Sequence, residues 1–144
     1  MKIVLLFSLL LVLVAFPAMA EEPVAVLKTV QGGIELARGG QTLHPEAGDP
    51  LQEGDVLKTG QDSAAGITFI DGTRLSLGPS SELRVDDYRF SPAEKDYAFE
   101  VFMNKGSAVY TSGKMGKMAP AAVRFSTPNS TLGIRGTRFL VQVK

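Results

Sequence analysis

The stretch GITFIDGTRLSL, Gly66–Leu77, decides the fold. Apolar residues alternate with polar or small residues on both sides of Asp71-Gly72. Alternation of period two is typical of a half-buried strand, and an Asp-Gly pair between two such runs indicates a turn. We therefore expect an antiparallel β-hairpin in this stretch.

The register of this hairpin depends on the length of its loop. A two-residue loop, Asp71-Gly72, would put Phe69 on the same face as Arg74. A three-residue loop that also includes Thr73 would pair Phe69 with Leu75 and keep the apolar side chains on one face. We predict the second register. The alternative is that the two segments are successive edges of a coil with Asp71-Gly72 at its corner.

The same period of two continues along most of the chain from Val24 onward. Turn-forming groups separate the alternating runs: Gly32-Gly33, Gly54-Asp55, Gly78-Pro79, Ser91-Pro92, Asn104-Lys105-Gly106 and Thr127-Pro128. No long window after Pro23 has the 3.6-residue period of an amphipathic helix. We predict an all-β domain of about ten short strands, built as a sandwich, barrel or roll, with no substantial helix. Residues 91–96 and 112–121 are expected to be loops, the second of them basic and flexible.

The first twenty residues have the pattern of a secretory signal peptide. Lys2 precedes an apolar run from Ile3 to Phe16, and an Ala-Met-Ala cleavage site ends at Ala20. The run is short for a bilayer span of about 20 residues, so a retained membrane anchor is the less favoured alternative. We expect cleavage, a periplasmic or secreted protein without a stable membrane span, and a single domain over residues 21–144.

Composition excludes several classes of function. The expected mature chain has 14 basic and 15 acidic residues, no cysteine and one histidine. A nearly neutral balance argues against nucleic-acid binding, which needs a strong basic excess on at least one face. His44 precedes Pro45 in a polar region, no G-x-S-x-G motif occurs, and a zinc site lacks ligands. We therefore predict no catalytic residue, no metal and no cofactor, and a low-specificity hydrolase is the weakest functional alternative.

The segment RFSTPNSTLGIRGTRFLVQV, residues 124–143, contains a change of phase. Ile134 lies on one parity, whereas Thr137, Phe139, Val141 and Val143 lie on the other. A shift of this kind at a glycine predicts a bulge or corner at Gly136. Thr127-Pro128 should then end one strand, and Thr137 to Val143 should form the last one.

Arg135 and Arg138 flank the predicted corner. The structural interpretation, which we favour, is that they form ion pairs with nearby carboxylates. The alternative is that they contact an anionic partner. The spacing does not decide between the two.

Several short motifs occur in an order that resembles the FecR domain of bacterial periplasmic proteins. They are Gly54-Asp55, Thr59-Gly60, Asp71-Gly72-Thr73, Gly106, Thr127-Pro128 and Arg135-Gly136-Thr137 with Phe139. The resemblance implies an all-β, roll-like or short β-helical fold in which these residues are mostly structural. The order and spacing of the whole series, more than any single motif, carry the resemblance.

The resemblance also implies a function. Founding members of this family are transmembrane regulators of an extracytoplasmic-function sigma factor, and they contact the signalling domain of a TonB-dependent transporter. This chain shows neither a cytoplasmic part nor a signalling domain after Lys144, so we do not expect direct sigma-factor control. We expect a non-catalytic interaction or signalling module in envelope signalling or assembly, with another envelope protein as partner.

Two further expectations concern binding surfaces. The alternative function is a carbohydrate- or cell-wall-binding domain in which Tyr88, Tyr97 or Tyr110 and the arginines form a ligand face. An exposed edge strand, at Val24 to Val30 or at Phe139 to Val143, is a candidate for recruiting a strand of the partner.

Overall fold

The computed structural model describes residues 14–17 and 21–144. Its twelve strands are β1 Ala25–Gln31, β2 Ile34–Arg38, β3 Gln41–Leu43, β4 Pro50–Leu51, β5 Val56–Thr59, β6 Ala64–Phe69, β7 Arg74–Leu77, β8 Glu82–Ser91, β9 Asp96–Thr111, β10 Val123–Thr127, β11 Ser130–Gly133 and β12 Arg138–Val143. One short α-helix, α1 Lys114–Met118, and two 3-10 turns, Pro92–Glu94 and Pro120–Ala122, complete the elements. The all-β prediction is confirmed, with twelve strands instead of about ten.

The predicted signal peptide, residues 1–20, lies outside the described residues apart from 14–17. Its cleavage therefore stays a prediction. In the described part of the chain, no helix has the length and hydropathy that a membrane crossing requires.

The longest strand, β9, joins the two halves of the sheet. Its first half pairs with β8 and β10, and its second half pairs with β7 and β12. The order of the main path is β3-β2-β5-β8-β9-β7-β6-β1-β4, and the sheet curls into a half-barrel. Every pairing is antiparallel except that of β9 with β10. The curl agrees with the roll-like form that was predicted.

The hairpin at Asp71-Gly72 is present, but its predicted register is wrong by two residues. Leu75 pairs with Ile67, not with Phe69, and the Phe69 N–H donates to the Thr73 carbonyl at 2.8 Å. The loop therefore has three residues, as predicted, but it runs from Ile70 to Gly72. The apolar face is unchanged, because a shift of two residues preserves the side on which each residue lies.

Two other expectations are also corrected. Asn104-Lys105-Gly106 does not turn the chain: β9 runs straight through it, and Gly106 has a φ of +96° at an irregularity in the pairing with β8. Residues 112–121 are not a featureless loop, because they form α1 and a 3-10 turn. Met115 of α1 is fully buried, which anchors this segment to the core.

The core lies on the concave side of the sheet and is rich in aromatic rings. Phe69 contacts the rings of Tyr88 and Phe99, with ring centres 5.2 and 4.9 Å apart. Phe99 contacts Tyr110 at 5.8 Å, and Tyr110 stacks on Phe139 at 4.8 Å. Contacts of this kind add about 0.5–1.5 kcal/mol per pair beyond burial alone. The chain of rings ties β6, β8, β9 and β12 together.

Candidate functional site

The first motif, Gly54-Asp55, places a buried carboxylate in an ion pair with the half-buried Arg38. The Asp55 carboxylate accepts hydrogen bonds from the Arg38 guanidinium at 2.9 and 2.7 Å and from the Gln52 N–H at 2.8 Å. Gly54 supplies the turn with a φ of +89°. The hydrogen bond that the Arg38 guanidinium donates to Asp55 raises the pKa of the guanidinium. The motif therefore joins β2 to the loop before β5 and has a structural role.

The second motif, Thr59-Gly60, holds the turn between β7 and β8. The Thr59 hydroxyl donates to the Gly78 carbonyl at 2.7 Å and accepts from the Ser81 N–H at 2.9 Å. The Ser81 hydroxyl in turn accepts from the Ser107 N–H of β9 at 3.0 Å. Both hydroxyl-bearing residues are buried. This hydrogen-bond network links β5, the turn between β7 and β8, and β9.

The third motif, Asp71-Gly72-Thr73, centres on a carboxylate that is almost fully buried. Asp71 accepts hydrogen bonds from the Tyr88 hydroxyl at 2.8 Å, the Thr73 hydroxyl at 2.7 Å and the Met115 N–H at 3.0 Å. Burial raises the pKa of the Tyr88 hydroxyl. The phenol therefore stays protonated and acts as the hydrogen-bond donor to Asp71. Since the buried carboxylate has donors from three elements, it holds the hairpin, β8 and α1 together.

The glycine at position 113 allows this close approach of α1. A Cβ atom on Gly113 would overlap the backbone of the Asp71–Thr73 turn. The Lys114 N–H donates to the Asp71 carbonyl at 2.9 Å. The backbone of the α1 start therefore lies directly against the turn.

The last two motifs differ from the first three because they lie at the surface. Thr127 is half-buried and Pro128 is exposed in the turn between β10 and β11, while Arg135, Gly136 and Thr137 are all exposed. Thr127-Pro128 ends β10, as predicted. Phe139 is the exception, since its ring packs against Tyr110 and Phe125.

The predicted corner at Gly136 is confirmed. Gly136 has a φ of +134°, which is a conformation that residues with a Cβ rarely adopt. Ile134 is buried on one side of the corner, and Phe139, Val141 and Val143 turn inward on the other. The backbone conformation therefore accounts for the glycine.

Replacing Gly136 with valine should lower the free energy of unfolding by about 1 to 3 kcal/mol, because the backbone there is strained for a β-branched residue. Gly133 is the matched control, since neither glycine has an atom within 4 Å of its would-be Cβ and only Gly136 has a positive φ. Urea unfolding of both variants measures the difference. Equal stabilities for the two variants would contradict the strained corner.

The two arginines at the corner have no ionic partner in residues 14–17 and 21–144. Ion pairs there involve Arg38, Arg84, Arg89 and Arg124. Arg135 and Arg138 are in none of them, and both are exposed. The favoured interpretation, that these arginines pair with nearby carboxylates, therefore has no support in the structure. Their contact with a partner stays open as a prediction.

Charge is segregated along the chain in a way that the net charge hides. Residues 101–144 contain seven lysines and arginines and no acidic residue, whereas residues 21–100 contain seven basic and fifteen acidic residues. The strands β1, β4, β6, β7 and β12 and the second half of β9 also lack acidic residues. The charged residues on the strands of this half are therefore all basic. Counting the charged residues before and after Glu100 separately would have revealed this separation of charge from the sequence alone.

The register places two exposed arginines in one row on the outer surface of this half. Arg74 of β7 and Arg138 of β12 both lie opposite Thr111 of β9. Directly opposite residues in a sheet share a face, so the guanidinium groups flank Thr111 on strands about 10 Å apart. We call this outer surface, with Arg74, Thr111 and Arg138 in its row, the basic face. Arg135 lies three residues before Arg138, at the corner that leads into β12, where it lines a cavity with Ala121 and Arg124.

The tyrosines proposed for a carbohydrate-binding face do not form one. Tyr88 and Tyr110 are buried in the core, and Tyr97 is half-buried beside Phe90. The expectation that Tyr88 or Tyr110 contributes to an exposed ligand face is therefore wrong. His44 lies in an exposed loop after β3.

Comparison with known protein families gives a match to FecR, described as FecR protein, over residues 55–144. The match covers more than half of the chain, so the protein belongs to the FecR family. No curated protein and no solved structure matches the chain. The matched region begins at Asp55 and contains both the buried motifs and the exposed ones.

Proposed function

We propose that this FecR-family domain is a non-catalytic interaction module outside the cytoplasm, acting in envelope signalling or assembly. It binds an acidic region of a partner protein through the basic face. The secretory pattern of residues 1–20 supports the location. The observation that carries the binding proposal is the separation of charge, with no acidic residue after Glu100.

Exposed charge without an ion pair in residues 14–17 and 21–144 suits recognition better than catalysis. Arg74 and Arg138 point the same way and have no carboxylate beside them on β7, β9 or β12. A surface of one sign attracts a partner of the opposite sign and speeds encounter. In contrast, the buried carboxylates Asp55 and Asp71 are saturated with hydrogen bonds to their own chain.

Reversing both charges at the corner tests the proposal. The variant R135E/R138E should lose a partner that the unaltered protein recovers by crosslinking from an envelope extract. The matched control is R84E/R89E, which changes the net charge equally on the other half of the sheet and should keep the partner. Both control arginines are exposed on β8.

Three outcomes would overturn the proposal. One is that R135E/R138E keeps the partner as well as the control does. Another is that the unaltered protein recovers no partner under conditions in which a known pair is recovered. A third is that nuclease treatment removes the captured material, which would assign the basic face to a nucleic acid.

A further inference from the structure

The last strand, β12, has one free edge. In the described part of the chain β12 pairs only with β9, whereas the other candidate edge, β1, is covered at its start by β4 and by the Asp49 carbonyl, which accepts from the Leu27 N–H. A free edge presents backbone donors and acceptors that a strand from another molecule can use.

The hydrogen-bond pattern identifies which residues of β12 point to the free side. The Ser112 N–H donates to the Thr137 carbonyl at 2.8 Å, so Thr137 faces β9. In an antiparallel pair the backbone groups of successive residues face alternate sides. The N–H and C=O groups of Arg138, Leu140 and Gln142 therefore point away from β9, toward the free edge.

This edge has a groove of mixed polar and apolar lining on one side and basic residues on the outer face. A groove of about 460 Å³ lies between β12 and the β10–β11 hairpin, and Leu132, Phe139 and Val143 contribute apolar surface to it. On the outer face, Leu140 is 64% exposed and follows Arg138 by two residues. Lys144 continues the same side at the end of the strand.

We propose that the free edge of β12 binds an extended segment of a partner protein by strand addition, and that this segment is acidic on its outward face. The proposal rests on the interaction function given above and specifies its partner. The added strand places a carboxylate beside Arg138, small or apolar side chains over the groove, and its backbone on Arg138, Leu140 and Gln142. Opposite charges beside each other across strands are favourable.

A second copy of this chain is a poor occupant of the edge. Antiparallel pairing of two β12 strands centred on Val141 would set Arg138 opposite Lys144 in both directions, and pairing centred on Leu140 would set Arg138 opposite Gln142, so neither register gives Arg138 an opposite charge. Like charges directly opposite each other destabilise a strand pair. Charge complementarity therefore favours an acidic partner.

A synthetic peptide provides the probe: seven residues, acetylated and amidated, with the sequence Glu-Val-Thr-Val-Thr-Val-Glu. Its length matches residues 138–144, and its glutamates lie beside Arg138 and Lys144 in either direction. Amide hydrogen exchange measured by NMR should slow at least tenfold at Arg138, Leu140 and Gln142 when the peptide is added. Phe139, Val141 and Val143 should already exchange slowly in the free protein, because their amides face β9.

Two comparisons make the test specific for strand addition and for charge. Methylating the peptide nitrogens that face β12 should abolish binding, whereas methylating the other alternate set should not; this comparison leaves the protein unaltered. The R138E substitution should lower the affinity for the glutamate peptide about fivefold and raise the affinity for a matched lysine peptide. L140P, which removes an outward N–H from an edge strand, should bind neither peptide.

The failures of the two proposals are distinguishable. No added protection at Arg138, Leu140 and Gln142 with saturating peptide, or equal binding of the two methylated peptides, would overturn strand addition. Protection of these amides that depends on protein concentration without peptide would assign the edge to a second copy and contradict the acidic partner. If L140P keeps the envelope partner and R135E/R138E loses it, the result supports binding through the basic face and contradicts strand addition. If both variants keep the partner, the result contradicts the proposed function as well.

Discussion

Replacing Asp71 with alanine should lower the free energy of unfolding by about 3 to 5 kcal/mol. Asp71 is buried, and its carboxylate accepts from the hydroxyls of Thr73 and Tyr88 and from the Met115 N–H. The alanine variant leaves all three donors without an acceptor in the interior. Urea unfolding followed by circular dichroism measures the loss.

The control for this variant is Asp87→Ala. Asp87 is on β8 in the same region, but its contact with Arg89 is a surface ion pair at 3.5 Å. Surface ion pairs contribute about 0 to 1 kcal/mol, so this variant should remain close to the unaltered protein. Similar stabilities for the Asp71 and Asp87 variants would mean that Asp71 does not organise the turn.

Replacing Gly106 with alanine is expected to cost about 3 to 5 kcal/mol, since two separate penalties add. Gly106 has a φ of +96°, and a Cβ atom there would overlap the backbone and side chain of Ser81. The overlap cannot be relieved by a side-chain rotation alone, because the Ser81 Cα atom takes part in it. Thermal and urea unfolding both report this loss.

The variant Gly40→Ala measures the cost of a positive φ without the cost of an overlap with a neighbouring residue. Gly40 has a φ of +78° but no atom within 4 Å of a would-be Cβ, so Gly40→Ala should cost only about 1 kcal/mol. A Gly106→Ala variant no less stable than Gly40→Ala would show that the contact with Ser81 relaxes freely. In that case the glycine motif in β9 would have no packing role.

The period of two was sufficient to predict the all-β class, because alternation reports burial on one side of a strand. It was not sufficient for the hairpin register. Ile70 is 65% exposed and Asp71 is 2% exposed, the reverse of what side-chain polarity suggests. Asp71 can be buried because Tyr88 and Met115 supply donors, and those residues lie 17 and 44 positions away in sequence. Local patterns contain no information about such distant partners.

The continuity of β9 was missed for a related reason. Asn104-Lys105-Gly106 has the composition of a turn, but the Ser107 N–H is held by the Ser81 hydroxyl at 3.0 Å. This contact carries β9 past the glycine and into its pairing with β7. The predicted break is therefore an irregularity inside one strand.

The candidate site was predictable only in part. The sequence singled out Arg135 and Arg138 and placed them at a corner, which the structure has. It did not show that Arg74 shares a row with Arg138, because the two residues are 64 positions apart and meet only through Thr111 of β9. The lack of acidic residues after Glu100 was available in the sequence and was hidden by the near-zero net charge.

The motifs of the FecR family thus fall into two groups in this chain. Gly54-Asp55, Thr59-Gly60, Asp71-Gly72-Thr73 and Gly106 make buried or strained contacts that hold turns and strand crossings. Arg135 and Thr137, in contrast, are exposed side chains at the corner that leads into β12 and its Arg138. We infer that the first group maintains the fold and that the second serves binding.

The most direct measurement combines stability and binding in a single variant, R135E/R138E. Its free energy of unfolding should match that of the unaltered protein, because both side chains are exposed and without an ion pair in residues 14–17 and 21–144. Its recovery of the envelope partner should fall to background. Full recovery of the partner by a stable R135E/R138E protein, or unfolding of that protein, would contradict the division between scaffold and binding surface.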